Sequence, residues 1–172
     1  MTAINLKRTF IASDHHFGSH CHFWPFQTFT KDEEDALIDK WNQVVQSNDT
    51  VIYNGDFHDC GLADLIDYRK RLNGHIILVK GNHDFFQDEI YEAIFDEVHD
   101  ELKLDDLEIV IRHIPQKDSK TKQIYGHLHH GIPNPLDPTM NYCSCIQYHD
   151  GYPICLNDII EQFRKLNLLV NH

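Results

Sequence analysis

The chain has 172 residues, 41% of them hydrophobic and 24% charged, with a formal net charge of −12 when its 14 histidines are neutral. That length suits one sizeable core, a single domain over 1–172, and is short for two. No apolar stretch approaches the roughly 20 residues of a membrane span, and the acidic balance disfavours an extended nucleic acid held on a broad basic face.

Arg8 to Ser13 reads as a strand, followed by Asp14-His15-His16 and an aromatic, irregular stretch from Phe17 to Thr30. Lys31 to Gln46 reads as a helix with Ala36, Leu37, Trp41, Val44 and Val45 on its apolar face. Thr50 to Asn54 is a second strand, leading into Gly55-Asp56-Phe57-His58-Asp59 and a helix from Leu62 to Leu72. His75 to Val79 is the third strand; Gly81-Asn82-His83-Asp84 follows it, then a helix from Gln87 to Phe95. Val98 to Leu104 and Leu107 to Ile111 read as antiparallel strands joined at Asp105-Asp106. His113 comes directly after them, then a polar loop from Gln116 to Lys122 and a short strand, Ile124-Tyr125, ending in Gly126-His127-Leu128-His129. Gly131 to Pro138 is a proline-rich loop, Asn141 to Tyr148 a strand, Asp150-Gly151 a turn, and Leu156 to Leu168 the last helix. Two packed sheets with helices outside satisfy this order. Strand–helix–strand connections bring strand C-termini to one edge, where open α/β folds bind ligands.

Five apolar runs thus each end in a side chain able to ligate a metal. Imidazole beside oxygen donors suits manganese, iron or zinc. On extended backbone Asp14 and His16 project to one side and His15 to the other, and the same alternation applies to His127 and His129. Asp56 has two oxygens and can bridge two ions. A pair of ions about 3.5–4 Å apart stabilises the attacking and leaving oxygens of phosphoryl transfer and activates a shared water.

These motifs, in this order from Asp14 to His129, resemble the calcineurin-like metallophosphoesterase family, and the tail from Asn141 to Ile160 is similar to that of its small bacterial and phage members. The resemblance implies an α/β fold, a four-layer α/β/β/α sandwich of two mixed sheets with the metal site at the strand C-terminal edge. It implies two divalent ions, manganese first, with iron, zinc or nickel as alternatives. By the same resemblance Asp14, His16 and His129 hold one ion, Asn82, His113 and His127 hold the other, and Asp56 bridges them. His83 would contact the phosphate and protonate the leaving oxygen, with Asp59 orienting it. The implied activity is hydrolysis of a small soluble phosphate ester, diesters ahead of monoesters. The alternatives are a non-catalytic scaffold of the same fold, like the retromer subunit, and a nuclease on short single strands.

Two departures from the family pattern stand out. Cys60 occupies the position where the protein-phosphatase branch carries an arginine, and a thiol cannot make a bidentate phosphate clamp. Ser19 stands where many small relatives carry histidine, with His20 next to it. His20 and His58 are the candidate substrate contacts; His15 and His130 adjoin ligands but face away by alternation. The aromatic stretch is expected to plug the core rather than rim the site. The five cysteines lack Cys-x-x-Cys spacing and read as free thiols. With no charged-then-apolar order in Met1 to Arg8, a cytoplasmic location is expected.

Overall fold

The structure, a computed structural model, describes residues 4–19, 29–129 and 136–170. The first sheet contains β1 (Thr9–Ala12), β2 (Thr50–Asn54), β3 (His75–Val79), β4 (Glu97–His99) and β9 (Ile154–Cys155). Its order is β4-β3-β2-β1-β9, parallel throughout except for β9 against β1. The second contains β5 (Leu102–Leu104), β6 (Ile109–Ile111), β7 (Lys122–Tyr125) and β8 (Asn141–Cys143) in that order, with only the β5–β6 pair antiparallel. The helices are α1 (Lys31–Val44), α2 (Leu62–Arg71), α3 (Asp88–Glu92) and α4 (Leu156–Val170). The fold is the expected α/β sandwich of two mixed sheets.

Strand alternation divides the apolar residues between two cores. Val51, Tyr53, Ile76 and Leu78 face α1, α2 and α3, meeting Leu37, Ile38, Trp41, Leu65, Tyr68 and Tyr91. Ile11, Ile52 and Val79 face the other way, onto Leu102, Leu104, Ile109, Ile111 and Ile124 of the second sheet, with Leu156, Ile159, Ile160 and Phe163 of α4 completing that core. α1 starts on a capping box, in which the Thr30 hydroxyl accepts from Glu33 N–H while the Glu33 carboxylate accepts from Thr30 N–H. Its buried face is Glu34, Leu37, Ile38 and Trp41; Ala36, expected on it, is exposed.

Three elements differ from the sequence expectation. The run Val98 to Leu104 is two strands: β4 pairs with β3 in the first sheet, and the chain crosses at Asp100-Glu101 to pair β5 with β6 in the second. The strand expected over Asn141 to Tyr148 stops at Cys143, and Ile146–Tyr148 is a 3-10 turn. The helix expected over Gln87 to Phe95 is α-helical only over Asp88–Glu92. The β5–β6 hairpin forms as expected, through a 3-10 turn at Asp105–Leu107 and a left-handed Glu108. Among the described residues no helix is long and apolar enough to cross a membrane.

Candidate metal centre

The loops after β1, β2 and β3 leave the C-terminal ends of parallel strands, and those after β6 and β7 meet them from the second sheet. Hydrogen bonds join the two sheets at this edge: His113 Nδ1 donates to Asn54 O (2.9 Å), His127 N–H to Asp14 Oδ1 (2.9 Å) and Asn54 Nδ2 to Ile124 O (3.2 Å). The backbone here is not extended. Six described residues other than glycine have positive φ, and four of them are Asp14 (+62°), His16 (+48°), Asp56 (+56°) and His127 (+66°). Such conformations cost of order 1–3 kcal/mol each and persist where surrounding structure enforces them, commonly at functional sites. The alternation argument for Asp14 and His16 therefore fails in its premise. His15 does point away from them, into the core, for a different reason: the turn drives its ring between Phe17 and Trp41, with Nδ1 2.9 Å from Tyr53 Oη.

Three imidazoles converge on two carboxylates. Asp56 Oδ2 lies 3.1 Å from His113 Nε2 and 3.6 Å from His16 Nε2, while Asp56 Oδ1 accepts from His83 N–H (2.8 Å). Asp59 accepts from two rings, His16 Nδ1 on one oxygen (2.8 Å) and His83 Nδ1 on the other (2.7 Å). His129 Nε2 lies 3.7 Å from Asp14 Oδ1, and its ring centroid is 5.2 Å from that of His16. Potential ligand atoms of Asp56, His113 and His127 lie within 4.8 Å of one another, as do those of His16, Asp56 and His83, and those of Asp14, His129 and Cys145. Asn82 is exposed on the same loop as His83.

This crowding sets the charges. Burial alone would push the His113 imidazole down, but its Asp56 partner, with Asp14 nearby, pushes it up to about 9. Burial would raise the Asp59 carboxyl, yet the His16 and His83 donors hold it far below the usual carboxylate range. The bond to Asp59 raises the His83 imidazole above its ordinary value against the cost of its burial. Burial lowers His127 and His129, and neighbouring imidazoles add to it.

A model of the calcineurin-like phosphoesterase family matches residues 7–172. The chain belongs to that family. Metal-dependent phosphoester hydrolysis is the chemistry this membership carries. An uncharacterised protein of Methanocaldococcus jannaschii is 30% identical over 89 residues, 48% of this chain and 50% of that protein, so the chain spans about half the length of the curated relative it matches. The crystal structure of a protein of unknown function from Aquifex aeolicus superposes with a TM-score of 0.67 at 23% identity, over 89% of this chain and 97% of that one, and shares the fold.

This edge fits divalent ions. His16 Nε2 is buried without a hydrogen-bond partner, and His113 Nε2 is buried against the Asp56 carboxylate alone. In each ring Nδ1 is engaged as a donor, so the lone pair of the neutral imidazole is on Nε2, facing Asp56. Gly81 and Gly126 press their Cα atoms against this space. A Cβ on Gly126 would lie 2.6 Å from Asp14 Oδ2, and one on Gly81 would overlap Asp56 Oδ1 and lie 2.5 Å from Asp56 N. Gly81→Ala is expected to cost roughly 1–3 kcal/mol, the usual penalty of overpacking, and to lower metal content; thermal melts with elemental analysis check both. A metal ion held by His113 would have to displace its proton, so binding at pH 7 should release about one proton from this residue. Because its pKa is raised, that competition fades as pH rises through about 9, and affinity should rise with it. Calorimetry in buffers of different ionisation enthalpy measures the release.

Of the two candidate substrate contacts, His58 is corrected. Its Nδ1 donates to Cys60 O (3.1 Å), its Nε2 accepts from Tyr91 Oη (2.9 Å), and it is fully buried, which holds it neutral with a pKa of about 4. It has no ring nitrogen left for substrate. His20 and His130 lie outside the described residues. Of the aromatic stretch, Phe17 is fully buried in the helix-side core, and 20–28 lie outside the described residues. The cations nearest in sequence turn away: Lys80 pairs with Asp88 and Asp100, and Arg112 with Glu101.

The sequence reading missed three supporting residues. Asp84 is buried, and its carboxylate accepts from Gly81, Asp56 and Phe57 N–H groups, tying the second and third loops together; burial, with the nearby Asp56 charge, raises it to about 6. Glu34 of α1 accepts from Gly18 N–H (2.8 Å) and Tyr68 Oη (2.5 Å), fixing the turn after His16. Cys145 Sγ lies 3.9 Å from His129 Nδ1, and its thiol is raised well above the usual range by burial. Asp84 had a signal, an acidic residue beside His83; Glu34 and Cys145 had none short of the three-dimensional contacts.

Proposed function

We propose that this chain is a dinuclear metal-dependent phosphoesterase that hydrolyses a small soluble phosphate ester, diesters ahead of monoesters. The observation that carries the reading is Asp56 Oδ2 lying between two inward-facing imidazole nitrogens, His16 Nε2 and His113 Nε2. On this reading Asp14, His16 and His129 would hold one divalent ion, Asn82, His113 and His127 would hold the other, and Asp56 would be shared between them. Two bound ions would neutralise the phosphate and lower the pKa of the attacking water. Manganese is the first choice for this mixed imidazole and oxygen set, with iron, zinc or nickel next.

The chain's own groups do the rest. Asp59 raises the His83 imidazole above its ordinary value, which favours the protonated acid, and fixes its ring through Nδ1. Water would attack phosphorus and give up a proton to solvent, the bond from phosphorus to the leaving oxygen would break, and the His83 proton would pass to that oxygen. The diester preference is supported by Cys60, a buried thiol at the sequence position where the protein-phosphatase branch carries its phosphate-clamping arginine. The groups that hold the Asp56 and Asp59 carboxyls down are all histidines and one backbone amide, with no lysine or arginine among them. Among the described residues no disulfide joins Cys143, Cys145 or Cys155, in keeping with a reducing, cytoplasmic setting.

The test is a panel on metal-stripped protein with Mn²⁺, Ni²⁺, Fe²⁺ and Zn²⁺ restored separately, assayed on bis(p-nitrophenyl) phosphate and p-nitrophenyl phosphate. Two ions per chain and faster diester turnover are expected. Saturation at one ion, or a fully loaded protein inactive on both esters, would overturn the reading; the second result is what a scaffold would give.

A further inference from the structure

Phe85 and Leu168 are the most exposed large apolar side chains among the described residues, each 64% exposed. Leu168 is far along α4, but Phe85 follows His83 by two residues on the same loop. It does not hang free. Its ring centroid is 4.9 Å from that of Phe86 and 5.4 Å from that of His58. Phe86 stacks on His58 at 5.1 Å and 15°, His58 is pinned by Tyr91 and Cys60, and Phe86 N–H donates to Tyr91 Oη. An apolar ring kept in water on so fixed a base gives up the stabilisation that burial would provide, which points to a use for the exposed face.

The position says what that use is. If His83 protonates the leaving oxygen, the leaving group lies on the His83 side of the metals, and Phe85 is the exposed side chain next along that loop. All 15 lysines and arginines fall within the described residues, and the two beside the ligand motifs, Lys80 and Arg112, are engaged with acidic partners elsewhere. Neither of these two cations is therefore offered to further phosphates on a leaving group.

We infer that Phe85 is a stacking shelf for the leaving group, and that the substrate's leaving alcohol carries a flat, uncharged ring system, as in a nucleoside or an aryl alcohol. This rests on the assignment of His83 as the acid in the proposed reaction. Stacking of a base on an aromatic side chain is sequence-tolerant, so the shelf selects planarity rather than one ring.

Two diesters with leaving alcohols of similar acidity test it: methyl 2-naphthylmethyl phosphate and methyl cyclohexylmethyl phosphate. The Mn²⁺-loaded protein should prefer the naphthylmethyl ester roughly ten-fold in kcat/KM, the scale of one stacked ring. Phe85→Ser should bring the ratio towards one, and Phe85→Tyr should retain it. A binding measurement separates this from the activity itself: 2-naphthylmethylphosphonate, which cannot be hydrolysed, should bind the Phe85→Ser protein more weakly than wild type, while methylphosphonate should not distinguish the two. If neither ester is cleaved but the phosphonate senses Phe85, the hydrolytic reading fails and Phe85 is a ring-binding shelf that serves no leaving group. If the esters are cleaved and neither the ratio nor phosphonate affinity responds to Phe85→Ser, the shelf is wrong.

Discussion

Replacing Asp56 by asparagine is expected to abolish binding of both ions, whereas Asp14→Asn should remove mainly one. Asparagine can keep the bond from His83 N–H to Oδ1, so the loop has no reason to collapse. What it removes is the negative charge at Oδ2, 3.1 Å from His113 Nε2 and 3.6 Å from His16 Nε2. Two cations held close without a shared carboxylate repel each other strongly in a partly dry site. Asp14 sits to one side, 3.7 Å from His129 Nε2, and its second function, accepting from His127 N–H, also survives as asparagine. Titration with Mn²⁺ followed by elemental analysis should show less than one ion in Asp56→Asn and close to one in Asp14→Asn. Equal stoichiometry in the two variants would remove Asp56 from the bridging position. The substitution should also lower the His113 pKa, since the Asp56 carboxylate is its closest acceptor of charge.

The architecture was legible because burial on both faces makes parallel strands read as continuous apolar runs, and each run ended at a distinctive polar motif. Thr50 to Asn54 and His75 to Val79 match β2 and β3 to the residue. Periodicity misled at Asp100. Val98, Leu102 and Leu104 keep the same two-residue phase across the break, so the crossing between sheets leaves no change of pattern, only the polar pair Asp100-Glu101. At the site, residue identity could be read but not conformation. Left-handed backbone at Asp14, His16, Asp56 and His127 invalidates alternation, and asparagine, aspartate and histidine are the side chains that best tolerate it. His58 was misjudged for a related reason. The turn carries Phe57 and His58 both into the interior, where a histidine can satisfy both nitrogens as readily as it can face solvent. Asp59 was half understood, since its contact with His83 was expected and its contact with His16 depends on how the first loop turns.

That second contact changes what Asp59 variants should do, and sharpens the expectation for His83. His83→Ala should keep both ions and lose turnover by roughly 10²–10⁴-fold on an alkyl ester, the usual share of general acid catalysis. The loss should shrink for a nitrophenyl ester, whose leaving oxygen needs little protonation. Asp59→Asn should mimic part of that selectivity and weaken metal binding as well, because it also holds His16 Nδ1. Loss of an orienting carboxylate behind a metal-binding histidine costs typically 10–100-fold in affinity. The pH profile separates the two effects. A general acid works while protonated, so kcat on the alkyl ester should fall as pH rises through the His83 pKa, which the Asp59 bond raises. In Asp59→Asn that support is gone, and the descending limb should move to lower pH when measured at saturating metal. His83→Ala should lack the limb altogether. A His83→Ala protein that lost its ions, or that cleaved the alkyl ester at the wild-type rate, would show that His83 serves the metals or nothing in the reaction, and the acid would have to be sought elsewhere on the same edge.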